Sequence, residues 1–337
     1  MNASRWITLL PLVAACGGSG RADPIAATVT FFTADTGLST CGSAPWMTGS
    51  SLIAEASFQR DCHGFFGFGD TCPALTDLTL SLLGDGDVWT APGPSVAVAG
   101  QPDLVQLRID SIKAGEANLV PSGGGQTFAS TKALAVAPSS LVLRRSEFAQ
   151  EGLPPMIALG GWVEITAQAG STADEKLCGN ALITLIRPSP GLRVKATTDS
   201  GTEAVAPRIT RPLRVTALSA GPGQRVEVEL GSLTTAATFD VILPVEVDSI
   251  TPTLTEGRHI RLRASARGQD VAGMEFDVTN LTPELTAMTG EDTSGNLRTR
   301  APLALLFAKS GASGMVRVRV KAIGSPAPEQ MVTFAVP

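Results

Sequence analysis

Two stretches of the chain alternate apolar and charged residues with a period of two. In one, Val226, Val228 and Leu230 are separated by Glu227 and Glu229. In the other, Val316, Val318 and Val320 are separated by Arg317 and Arg319. Successive side chains of a strand point to opposite faces, so this spacing predicts strands with one buried and one wet face. Each run follows a glycine-bearing segment, from Gly221 and from Gly311, and leads into a second alternating run. The glycines predict a hairpin before each run.

The pattern recurs along the chain. LIAEASF from Leu52, GWVEITAQA from Gly161 and HIRLRASA from His259 all alternate and end in alanine-rich segments. LTDLTLSL, NALITLI and GMEFDV follow them as matching middle strands. Thr-Phe occurs in QTFASTKALAVAPSS, ATFDVILPVEVDSITPT and VTFAVP, and the first two lead to Pro138 and Pro252, where new units begin. A repeat of this kind divides the mature chain into units at 24–136, 137–247 and 248–337. Each has the size of an immunoglobulin-like sandwich, about 100 residues. One sheet alone would leave an apolar face in water, so the expected fold class is all-β, with tandem sandwiches.

The third unit carries Asp292-Thr293-Ser294-Gly295-Asn296-Leu297, then Ala304-Leu305-Leu306, then Gly314-Met315-Val316-Arg317-Val318. A tight Asp/Gly turn, an apolar strand, a glycine turn and an alternating strand in that order resemble the bacterial immunoglobulin-like domains of intimin- and invasin-type surface proteins. The second unit has Thr198-Asp199-Ser200-Gly201 and Leu213-Arg214-Val215-Thr216, but it departs with an insertion around Phe148 to Met156. The first unit matches only in outline. The resemblance implies the fold and exposure outside the cytoplasm, not a ligand.

The N-terminus opens MNASR and runs apolar from Trp6 to Ala15. That is half the roughly 20 residues a membrane helix needs. It ends Val13-Ala14-Ala15-Cys16-Gly17, which resembles the lipobox of bacterial lipoproteins. The resemblance implies a signal peptide at 1–15, cleavage before Cys16, and lipid on that thiol. Residues 16–23, with Gly-Gly-Ser-Gly, then form a flexible tether. The partner so implied is a membrane, reached through the lipid anchor. Gly17 lacks the Asp that retains such proteins at the inner membrane, which points to the outer membrane. The alternative is an ordinary secretory signal in which Cys16 is incidental.

Composition narrows the functional classes. A net charge of −5 argues against a nucleic-acid partner, which calls for a basic stripe. Tyrosine is absent, so the cores must rest on Val, Leu, Ile and Ala. Residues 24–136 hold 4 Lys/Arg and 10 Asp/Glu, a balance of −6. Four cysteines remain beyond Cys16: Cys41, Cys62, Cys72 and Cys178. In an exported chain they are disulfide candidates. Cys62 and Cys72 bracket a short loop, and their staple would contribute about 2–3 kcal/mol. Cys41 and Cys178 would then bridge the first two units or stay free. The bracketed loop carries His63, Phe65, Phe66 and Phe68. It is either an aromatic tip that meets a partner or a cap folded onto the end of the sandwich.

Other features read as structural. Asp85-Gly86-Asp87 fits a tight turn better than a calcium site. A single His-Cys neighbour pair, at His63, supplies too few ligands for zinc, so no metal or cofactor is expected. His259 sits in an alternating strand. Asn280-Leu281-Thr282 is a chance glycosylation triplet. Arg258 to Arg267 and Arg317 to Lys321 read as solvated strand faces rather than a basic patch. No nucleophile elbow, phosphate loop or metal-helix motif occurs in the sequence, so no enzyme is expected. The chain reads as a structural or adhesive module that meets another envelope protein or a glycan. The alternative is a glycan- or small-ligand-binding module centred on the first unit, with Trp46, Trp89 and Trp162 as stacking candidates.

Overall fold

The computed structural model describes residues 24–34, 45–60, 75–146, 151–171, 177–196, 207–255, 259–282, 284–288, 296–308 and 313–336. Regular structure among them is β throughout, apart from one 3-10 turn at Pro244–Glu246.

In the first sandwich, β1 (Pro24–Thr33), β3 (Ser51–Arg60), β7 (Gln101–Ser111) and β5 (Trp89–Thr90) form one sheet in that order. The facing sheet runs β2 (Trp46–Met47), β10 (Thr131–Val136), β8 (Gly115–Gly123), β4 (Thr79–Gly84). Short strands β6 (Val96–Val98) and β9 (Gln126–Thr127) lie beside β7 and β8. By chain position these are the ABED and CFG sheets of an immunoglobulin-type sandwich, with β2 as an extra strand beside the last one.

The second sandwich repeats the plan. One sheet runs β11 (Ser140–Arg145), β13 (Trp162–Gly170), β16 (Leu213–Ala217), β15 (Leu192–Ala196). The other runs β14 (Leu185–Pro188), β17 (Gly221–Leu230), β18 (Leu233–Ile242), β12 (Met156–Ala158), and there it does not stop. It continues into β21 (Gln269–Ala272), β20 (His259–Ala266), β25 (Leu303–Ala308) and β23 (Thr286–Met288), with β19 (Ser249–Thr255) also on β20. These last strands face β24 (Asn296–Thr299), β22 (Phe276–Asn280), β26 (Gly314–Ala322) and β27 (Gln330–Val336) in the third sandwich.

Three apolar clusters fill the gaps between facing sheets. The strand faces behave as period-two alternation demands. Val226, Val228, Val316, Val318 and Val320 are fully buried, while Arg317 and Arg319 are exposed. The three alternating alanine-rich runs are β3, β13 and β20, the second main strand of each sandwich. The three middle runs lead into β4, β14 and β22, each at the edge or second place of the facing sheet.

Two expectations need correction. The glycines before β17 do not make a hairpin: β16 and β17 lie in different sheets, so that segment carries the chain across the sandwich. The same holds between β25 and β26. The hairpin falls after the run, at Gly231-Ser232, where Leu230 pairs with Leu233. Thr-Phe belongs to the last strand in β18 and β27, but Thr127 ends the two-residue β9. Positive φ at Gly124 and Gly125 turns the chain sharply there, and the last strand of the first sandwich starts afresh at Thr131.

Candidate functional site at the joints between sandwiches

Among the described residues, ladders are antiparallel except at β2 and β12, and both of these short strands sit at a joint. β12 pairs in parallel with β18 on one side and with β21 of the third sandwich on the other. Ile157 faces Val241 and Ala272, and it is fully buried in the second core. Its neighbours Met156 and Ala158 point the other way, into the third core. Ala272, in return, packs in the second core.

The first joint repeats this arrangement. Trp46 of β2 pairs in parallel with Ala135 of β10 and with Cys178 of the second sandwich. Trp46 lies in the first core, whereas Met47 lies in the second. Cys178 lies in the first core. Each sandwich therefore lends side chains to its neighbour's core and takes one back.

The backbone bonds correspond one by one. Thr48 N–H donates to the Val136 carbonyl (3.1 Å), as Leu159 N–H does to Ile242 (2.8 Å). Gly49 N–H donates to Ser111 (2.9 Å), as Gly160 N–H does to Ala217 (3.0 Å). Ser111 N–H returns to Ser50 (2.9 Å), as Ala217 N–H does to Gly161 (3.0 Å). Gly49 and Gly160 have φ of +81° and +75°, a turn that a side chain resists. Sequence reasoning missed this second repeat. Its only trace is Met47-Thr48-Gly49 against Ala158-Leu159-Gly160, and Cys178-Gly179 against Ala272-Gly273.

Side chains fasten the two joints differently. At the first, Met47 N–H donates to the Cys178 carbonyl (2.6 Å), and Cys178 N–H donates to the Pro45 carbonyl (3.1 Å). Ser51 N–H donates to Asn180 Oδ1 (2.8 Å), and Asn180 is fully buried. Cys178 is disulfide-bonded. Met47→Ala is expected to destabilise the second sandwich by about 2–5 kcal/mol, the usual cost of such a truncation in a core. Differential proteolysis should then find the protection lost at β16–β18, not within β3 and β7.

The second joint is clamped by charge. Arg145, almost fully buried, donates to Asp270 across it (2.9 Å). Glu151 accepts from Arg261 and from Arg263 (2.5 Å), both on β20. Within the third sandwich, Arg300 donates to the Gly273 carbonyl (3.2 Å) and to Glu275 (2.8 Å), beside the joint rather than across it. Partial desolvation alone would raise the Glu151 carboxyl, but the Arg261 hydrogen bond and the charges of Arg263 and Arg261 outweigh it. They hold the group below its ordinary value of 4.5. A carboxyl lowered in the folded state stabilises fully above that value and loses its contribution as pH falls through the lowered one. The second joint is expected to loosen in acid, and a Glu151→Gln variant should shed that part of the pH dependence in thermal unfolding.

The residues picked out from sequence fall elsewhere. Cys16, Cys41, Cys62, Cys72, His63, Phe65, Phe66 and Phe68 lie outside the described residues, as does Arg258. Trp46 and Trp89 are buried, at 4% and 1% exposure, so neither is a stacking platform. The Trp89 indole donates to the Gly115 carbonyl (3.3 Å). Trp162 is half-buried and covered by the Arg214 guanidinium, 4.3 Å from the ring centre. Asp85 accepts from the Asp87 N–H (2.9 Å), closing a turn. The Asn280 amide is buried and accepts from Thr282 N–H (3.0 Å). His259 is half-buried on β20. The arginine-rich strands are offset by carboxylates: Arg267 meets Glu246 (2.7 Å), and Arg319 and Lys321 meet Glu329 (3.8 and 3.6 Å). No group of three metal-binding side chains occurs among the described residues.

The sequence matches no family model and no curated protein. Among solved structures it is similar to FdeC, an Escherichia coli adhesin, at 17% identity and a TM-score of 0.26, covering 95% of this chain and 100% of that one. It is similar to domains 4–9 of the surface layer protein SbsC at 12% identity and a TM-score of 0.34, covering 91% of this chain and 47% of that one. For the Yersinia pseudotuberculosis adhesin InvE the values are 11% and 0.26, with 75% and 70% covered. At these scores no ligand or role of this chain follows from the likeness.

Proposed function

We propose that the chain is an exported, lipid-anchored spacer, a non-catalytic structural or adhesive module of the cell envelope. The observation that carries this is the reciprocal exchange of core residues at both joints. Tandem domains on plain linkers move freely unless their interface is large and apolar. Here Met47, Met156 and Ala158 each sit in a neighbour's core, so bending a joint exposes buried side chains. Such a chain is suited to holding something at a fixed distance from its anchor.

The units at 24–136, 137–247 and 248–337 are the three bodies of the spacer. The lipid on Cys16 tethers the first of them to a membrane, the outer membrane on the reading of Gly17. Its partner is another envelope protein or a glycan, and the chain's acidity disfavours nucleic acid. Cys16→Ser tests the anchor: the variant is expected in the soluble fraction, and retention in membranes sinks the lipid reading. Small-angle scattering of the released protein tests the spacer, where one extended shape is expected and a spread of bent shapes overturns it.

A second reading is favoured by one feature. A groove of ≈ 620 Å³ opens in the first sandwich between the edge strand β4 and the segment after β5, lined by Leu82, Gly84, Thr90 and Ser95 among others. Its hydroxyls and apolar floor would suit a small ligand or a sugar.

A further inference from the structure

Strand β4 is the last of its sheet, and no other described strand pairs with its outer side. Its neighbours show which backbone groups face outward. Leu80 stands opposite Pro121 of β8. Pro121 has no N–H, and its carbonyl accepts from Phe128 N–H on the far side (2.9 Å). Leu80 N–H turns away from β8 and donates to Ser95 Oγ (3.1 Å). Leu80 and Pro121 are therefore a pair without mutual hydrogen bonds, and such pairs alternate along an antiparallel ladder. Leu82 and Gly84 share that orientation, so their N–H and C=O groups point out of the sheet edge, as the Leu80 carbonyl does.

That edge forms one wall of the groove of ≈ 620 Å³. The other wall is the segment from Ala91 to Ser95, and Leu82, Trp89 and Leu107 make an apolar floor between the sheets. Trp89 is too deeply buried to offer a ring face to a sugar, and among the described residues no charged or amide side chain lines the groove. What lines it is a row of backbone donors and acceptors beside a slot for small apolar side chains. An extended peptide that adds to a sheet uses both. The row from Leu80 to Gly84 is about 14 Å long. Other sheet edges are blunted against such pairing. β11 ends in Arg144-Arg145, β14 ends in Arg187-Pro188, β15 carries Arg193 and Lys195, and β24 carries Arg298. β4 reads Thr-Leu-Ser-Leu-Leu-Gly, with no charge, no proline and no bulge, and its Leu83 is 56% exposed. Charge lies only beyond its ends, where Asp77 precedes it and Asp85 and Asp87 follow, all exposed. An exposed lysine, Lys113, partly offsets Asp87 (3.6 Å), but the unit as a whole stands at −6.

We propose that β4 is a docking edge, onto which an extended segment of a partner protein, apolar at alternate residues and flanked by Lys or Arg, adds as a further strand. Its backbone takes the outward N–H and C=O groups of Leu82 and Gly84. Its apolar side chains enter the slot over Leu82, Trp89 and Leu107, and its cations meet the carboxylates beyond the ends of β4. The inference rests on the reading of the chain as an adhesive module with a protein partner, and it assigns the groove to a peptide rather than to a small ligand.

Panning a random linear peptide library, displayed on phage, over the full chain is the test, with Ala91→Trp and Leu82→Pro as comparisons. Ala91 is exposed, so a tryptophan there plugs the groove without entering the core. Proline removes the outward N–H of Leu82 and is tolerated on a free edge. Thermal melts check that both variants fold. The expected result is enrichment of peptides with alternating apolar residues and a Lys or Arg, strong on the parent chain, weakened on Leu82→Pro and lost on Ala91→Trp. Methylating alternate backbone nitrogens of a selected peptide should weaken it about tenfold or more, the value of two lost hydrogen bonds. The Leu82 and Gly84 amides should exchange hydrogen fast in the free chain and slowly once the peptide is bound. No enrichment over Ala91→Trp, peptides indifferent to methylation, or amides already protected in the free chain would each overturn the proposal. Sugars from a glycan array that bind the parent and Leu82→Pro alike, but not Ala91→Trp, would overturn it in favour of the small-ligand reading. The spacer reading fails separately, through bent shapes in scattering.

Discussion

Gly273→Ala is expected to open the second joint and to cost about 3–5 kcal/mol, the range reserved for backbone strain in a packed core. A Cβ at this position would lie 2.4 Å from the Trp162 nitrogen and 2.8 Å from its carbonyl oxygen. Both are backbone atoms at the start of β13, so neither can move without breaking that strand. The φ of Gly273 is +70°, which adds the left-handed penalty of about 1–2 kcal/mol. Gly160→Ala is the matched control. Its φ is +75°, yet nothing lies within 4 Å of the added carbon, so only the φ penalty applies. Gly179, the counterpart in the first joint, would meet Ser50 Oγ at 1.9 Å. Rotation of Ser50 moves that oxygen but leaves its Cβ 2.9 Å away, so Gly179→Ala should cost more than Gly160→Ala and less than Gly273→Ala, where the clash is with backbone. Chemical unfolding gives the three losses, and scattering reports whether the joint bends. Equal losses at Gly273 and Gly160 would mean that the backbones are not in the tight contact described here.

The contrast between the strands and the joints explains what could be read from the chain. β17 and β26 alternate valine with charge because one face is wet, and a period of two is visible whenever one face is wet. β12 is three residues long and buried throughout, since one face serves the second core and the other the third. With no polar face and so few residues, Met156-Ile157-Ala158 carries no period at all. β2 is shorter still, and its tryptophan reads as a surface aromatic until Phe31 and the first core are seen around it. The glycines were visible but ambiguous. Gly221 looks like a hairpin in sequence and proves to be a crossing between sheets. Gly273 stands in sequence at the head of the middle strand run GMEFDV and proves to be where two backbones touch. The resemblance to bacterial immunoglobulin-like domains rested on turn and strand order, which describes a sandwich and says nothing of how one sandwich docks on the next.

Asp270→Ala should be the most damaging loss of charge among the described residues, about 2–4 kcal/mol, because it takes a carboxylate from a guanidinium that is 7% exposed. Desolvating that charge has already been offset by contacts across the joint, and removing one of them leaves the cost in place. Arg145 retains other contacts, and Asp270 is one-third exposed, so the lower half of the range is expected. Pairing it with Arg145→Met should recover most of the loss, to within about 1 kcal/mol of the parent, since an apolar side chain of similar length needs no counter-charge. Exposed pairs give the scale for comparison. Glu329, Arg319 and Lys321 are each about half exposed, and Glu329→Ala should cost no more than about 1 kcal/mol and less in high salt. The Asp270 loss should persist in salt, because the pair is shielded from it. If the double variant is as unstable as Asp270→Ala alone, the ion pair is fixing the geometry of β11 against β21 rather than balancing a buried charge. The second joint would then be specified by direction and register, with its apolar exchange too permissive to set the angle unaided.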